Sequence, residues 1–156
     1  MTHTSADLDD RTVAYVVDAQ RPFDDLRQAI AQVSGWLVLA ALHARESVAD
    51  HPALVGAEAL VRDSIEDVRE MRTPARAHLH HDCLLRAGRA LESAVREART
   101  RRHVRTEADI QRVSSAVKTA YAHLARAAAA LPGFELMSFE HACCNQQSTI
   151  NNHKSP

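Results

Sequence analysis

The run His78-Leu79-His80-His81-Asp82-Cys83 puts three imidazoles, a carboxylate and a thiol into six consecutive residues, the densest titratable cluster of the chain. Imidazole nitrogens, carboxylate oxygens and thiolates are the donors that hold transition metals, and imidazole is the side chain that titrates nearest neutral pH. His78 and His81, three residues apart, share one face of a helix. Asp82 and His123 would complete a set of nitrogen and oxygen ligands with them. The wider pattern argues against a metal. A di-iron bundle needs Glu-x-x-His on two helices, and His43 with Glu46 has that spacing once, in reverse order. No Cys-x-x-Cys is present either. A core histidine with one hydrogen-bond partner is the simpler reading, so no metal, cofactor or catalytic residue is expected.

The other reactive groups lead no further. Three cysteines, Cys83 and the adjacent pair Cys143-Cys144, make no disulfide framework, because neighbouring cysteines bridge only with strain. Reduced thiols suit a cytoplasmic protein. The basic segment from Arg96 to Arg105 has no interleaved aromatic on which a base would stack. Cations there complement a helix C-terminus, and with a formal net charge of −1 no field draws in nucleic acid. Met1 to Asp10 has no apolar core of a secretion signal. The longest apolar run, Trp36 to Leu42, falls far short of the roughly 20 residues of a membrane span. The expected location is the cytoplasm, without nucleic-acid or membrane partners.

Long helices must position these groups. Four glycines and five prolines are few for a turn-rich β fold, and an aromatic share of 4% requires an aliphatic, alanine-rich core. Thr73-Pro74 opens the central helix, expected to run to Arg102 with the seam Ala77, His81, Leu84, Gly88, Leu91, Val95, Ala98. Before it, residues 9–20 suggest a short helix, and Pro22 opens a second, with the seam Phe23, Leu26, Ile30, Val33, Leu37, Ala40. Asp50 is placed to cap a third segment, which starts at Pro52 and carries Leu54, Ala57, Val61, Ser64, Val68. Thr106-Glu107-Ala108-Asp109 resembles a capping box ahead of Ile110, Val113, Val117, Ala120, Leu124, Ala127 and Leu131, and Pro132-Gly133 ends that helix. The spacing predicts an all-α, antiparallel up-down-up-down four-helix bundle over residues 22–133. A short N-terminal helical segment (1–21) precedes it, and a flap with a polar tail (134–156) follows.

Heights along such a bundle, at 1.5 Å per residue, bring His81 level with Ser64. Both lie on seams, so a buried His81 bonded to the Ser64 hydroxyl is expected. A second layer holds Ala40, Ala57, Gly88 and Val117. Its small residues imply close helix approach, filling by Trp36 and Leu37, or a pocket for a small apolar ligand. Trp36, Ala40, Ala57, Ser64, His81 and Gly88 are therefore the candidate binding residues. No nucleophile–base pair falls at one height. Trp36, Leu39 and Leu42 lie beside the seam of a helix that is already apolar on its core face, so this face is expected to be covered by the flap or by another subunit; the reading is a non-catalytic protein acting through interaction, with a second copy as partner. A small-molecule or metal-binding bundle using the pocket or the His78/His81/His123 cluster is the alternative.

Overall fold

The computed structural model describes residues 8–42, 50–100 and 106–136, which form four helices and no strand. These are α1 (Asp10–Leu42), α2 (Pro52–Glu70), α3 (His78–Thr100) and α4 (Glu107–Ala130), with a short 3₁₀ turn at Ala75–Ala77 leading into α3. Each helix packs on the next, and α4 also packs on α1. No helix among the described residues is long and apolar enough to cross a membrane.

Local chemistry sets the boundaries. Thr106 caps α4 as its spacing predicts: its hydroxyl accepts from the Asp109 N–H, and the Asp109 carboxylate accepts from the Thr106 N–H. Asp109 is buried, and Arg112 pairs with it. After Ala130 the chain turns through Gly133, whose φ of 97° lies where a side chain would be strained. The Gln20 side chain then fixes this turn to α1, donating to the Gly133 carbonyl at 2.9 Å.

Three expectations are corrected. The first segment is not a separate short helix, because α1 runs unbroken through Pro22. An internal proline removes one backbone hydrogen bond and costs about 3 kcal/mol. Pro22 is itself buried beside Phe23 and Leu26, and that burial offsets the cost. The cap of α2 is His51, not Asp50: its Nδ1 accepts from the Ala53 N–H at 3.1 Å. The central helix does not begin at Thr73. Pro74 is extended, the 3₁₀ turn follows, and α-helical winding starts at His78.

The core is aliphatic and alanine-rich, with Trp36 and Phe23 as its largest fully buried side chains. Gly88 shows how tightly it is filled. A Cβ built there would lie 2.7 Å from Ile65 Cγ1 and 3.8 Å from Leu26 Cδ2. Ile65 is buried, branched at Cβ and slow to yield. Gly88→Ala gains up to about 1 kcal/mol of helix propensity but forces an over-packing cost of about 1–3 kcal/mol. The expected result in urea denaturation is a net loss of stability that Ile65→Ala in the same chain partly reverses. Equal losses with and without Ile65→Ala would show that the two positions do not touch.

Candidate functional site

Within the histidine cluster, the 3₁₀ turn decides which imidazole goes inside. Ala77 is buried, and the buried stripe continues through His80, Leu84, Ala87 and Leu91. The step from Ala77 is therefore three residues to His80, not four to His81. Both steps reach Leu84 on a helical face, but the tight winding of a 3₁₀ turn, about three residues each, favours the first. His80 is fully buried, His81 is half-buried and His78 is exposed.

His80 sits among aromatic rings contributed by α1 and by the segment after α4. From α1, Tyr15 directs its hydroxyl to His80 Nδ1 at 2.9 Å, and its ring meets the imidazole edge-on at 5.6 Å. Phe23, two turns further along α1, is stacked at 6.4 Å. Phe134, just past the end of α4, lies at 4.1 Å and also contacts Phe23 at 5.1 Å. Burial, with a smaller contribution from the neighbouring His81, pushes the His80 pKa down to about 4. Burial also pushes the Tyr15 hydroxyl up. At neutral pH the pair is therefore uncharged and joined by one hydrogen bond through His80 Nδ1, while the buried Nε2 has no partner among the described residues. Such a pair holds α1 to α3 and is not poised to move a proton. Burial raises the Cys83 thiol as well, which favours its protonated form at neutral pH.

The expected His81–Ser64 bond is not formed. His81 Nδ1 lies 3.1 Å from the Thr73 hydroxyl, in the turn before α3. Burial lowers its pKa, reinforced by His78 and opposed by Asp82. Ser64 is buried as expected, but its hydroxyl has no hydrogen-bond partner among the described residues. The metal alternative also fails on geometry: among the described residues, no three His, Cys, Asp or Glu side chains come close enough to share an ion. His78, His81 and His123 therefore do not make a ligand set. Cys143, Cys144, His43 and Glu46 lie outside the described residues.

Of the remaining candidates, Trp36, Ala40, Ala57 and Gly88 all belong to the core. Ile65 occupies the space above Gly88, so that side of the small-residue layer is closely packed and not open to a ligand. Trp36 is 1% exposed within the single chain, and it fills the interior where it had been expected beside the seam. An open surface groove of about 900 Å³ runs between α1 and the turn after α2. Tyr15 lines it together with Arg11, Arg21, Arg72, Asp18, Asp67 and Glu70, whose opposite charges balance.

One further surface stands out. From Gln28 to Leu42, α1 carries no charged residue. Part of that length faces outward: Val38 is 60% exposed and Leu42 71%, with Leu39 between them also exposed. Compared with models of known protein families, with characterised proteins and with solved structures, the chain matches none of them.

Proposed function

We propose that the chain is an antiparallel up-down-up-down four-helix bundle that works by protein–protein contact and not by catalysis, with a second copy of itself as partner in the cytoplasm. The uncharged second half of α1 carries this reading. A helix of a monomeric bundle keeps charged or polar residues on its outer face, and the first half of α1 has Asp18, Arg21, Asp24 and Arg27 there beside the exposed Val13 and Val17. Beyond Arg27 that outer face turns to Ala31, Gly35, Val38 and Leu42, all exposed. Contiguous exposed aliphatics of this kind mark an interaction surface. The buried titratable groups agree, since the Tyr15–His80 pair and Cys83 are held in their neutral forms. Sedimentation equilibrium over a wide concentration range tests the reading. The expected result is an average mass that rises from monomer toward dimer. A monomer mass at every concentration would overturn it.

A further inference from the structure

The segment after α4 closes over a buried imidazole. Residues 131–136 are not helical, yet Leu131 and Phe134 are buried and Leu136 packs against the core. Phe134 is the aromatic ring nearest His80, at 4.1 Å against 5.6 Å for Tyr15 and 6.4 Å for Phe23. Tyr15 and Phe23 belong to α1 and cannot retreat without unpacking the bundle. The segment that carries Phe134 is tied to α1 by an exposed hydrogen bond, from the Gln20 side chain to the Gly133 carbonyl. It is the wall of the His80 site that can move on its own.

A neutral imidazole fits this site. Nδ1 shares a hydrogen bond with the Tyr15 hydroxyl, and the buried Nε2 has no partner among the described residues. An imidazolium carries two N–H donors. The Tyr15 oxygen can accept one of them, which leaves the other charged and stranded among phenyl rings. The surrounding charges do not help. Asp18 of α1, Glu70 at the end of α2, Arg126 of α4 and Glu135 beside Phe134 are all exposed. Asp82 is exposed too and pairs with Arg86, and His81 disfavours a second positive charge beside it. Water supplies the missing acceptor once Phe134 leaves.

We infer that residues 131–136 form an acid-released strap: protonation of His80 lifts Phe134 and the Gly133 turn off α1 while the four helices stay packed, uncovering an apolar slot beside Phe23. Proton binding and opening favour each other by linkage. In the closed form His80 protonates only at about 4, and in the open form it approaches its ordinary 6.5. Protonation therefore favours opening by up to about 300-fold. The opposing force is the attraction of a cation to the face of the Phe134 ring.

The test is NMR of the full chain as pH falls from 6.5 toward about 4. The backbone amides of Gly133 and Phe134 and the side-chain amide of Gln20 should move to solvent-exposed positions with the same midpoint as the His80 ring. The Trp36 indole, enclosed in the core, should keep its position. In His80→Leu the strap signals should no longer respond to pH. Gln20→Ala, which removes only the exposed tie, leaves the buried site intact. Losing that hydrogen bond should favour opening about tenfold and raise the His80 midpoint by about half a pH unit or more. Strap signals that stay in place while His80 titrates would show that the phenyl ring holds the imidazolium and would overturn the inference. So would a Trp36 indole that moves together with the strap, because the whole bundle would then be unfolding. A His80 midpoint unchanged in Gln20→Ala would overturn it as well, whether or not His80→Leu folds.

Discussion

Trp36→Ala should lower the free energy of unfolding by about 3–5 kcal/mol, the usual cost of emptying a fully buried aromatic site. The loss should be the same at low and high protein concentration, because Trp36 is enclosed by its own chain at 1% exposure. Leu42→Ala, six residues further along the same helix, should behave in the opposite way. It should change the unfolding free energy of the monomer by no more than about 0.5 kcal/mol, as exposed substitutions do, yet shift the association equilibrium. Chemical denaturation at two protein concentrations separates these outcomes. A Trp36→Ala loss below about 1 kcal/mol at low concentration, or one that grows with concentration, would return Trp36 to an intermolecular face.

That contrast shows where periodicity is informative and where it is not. Spacings of three and four residues identify a helix and its apolar side, so the extents of α2 and α4 and the capping box at Thr106 are legible from residue types alone. The side-chain order inside a wide stripe is not. Leu37 and Trp36 are adjacent, and either can follow Val33 at helical spacing; packing turned Trp36 inward and left Leu37 half-buried. His80 and His81 pose the same ambiguity one turn from a helix start, and a 3₁₀ turn that no residue type announces resolved it. Pro22 misled in a different way. Proline is read as a boundary because of its lost hydrogen bond, but burial against a continuous core kept α1 whole. The aromatic cluster was the least legible feature. Tyr15, Phe23, His80 and Phe134 are far apart in sequence, and only the fold brings them together. The available hint was compositional: in a chain so poor in aromatics, an aromatic residue placed just beyond a helix stop, as Phe134 is, has a core to reach.

Folding should become acid-sensitive through His80. In the unfolded chain its imidazole protonates near 6.5, whereas in the folded chain burial delays protonation to about 4. Between those values the unfolded state binds the extra proton, so stability rises with pH across that window. The contribution is complete above about 6.5, is lost progressively as pH falls toward 4, and changes no further below that. Its full size is on the order of 3 kcal/mol. His81, also lowered by burial, adds to the loss. Asp25, raised by burial and by neighbouring Asp67, Asp24 and Asp63 against the pull of Arg21, acts in the opposite direction at the acid end. Urea denaturation across the window should show a steep decline in wild type and a much shallower one in His80→Leu. A slope unchanged by His80→Leu would place the acid sensitivity elsewhere. The Tyr15 hydroxyl is the hydrogen-bond partner of His80 Nδ1 at 2.9 Å. Tyr15→Phe leaves that nitrogen buried without a partner and should cost about 1–3 kcal/mol. With His80→Leu already in place there is no ring nitrogen to strand, so Tyr15→Phe should then cost clearly less. The difference between the two backgrounds, about 1 kcal/mol or more, measures the hydrogen bond that ties α1 to α3; costs that simply add would show that the bond contributes nothing to holding the helices together.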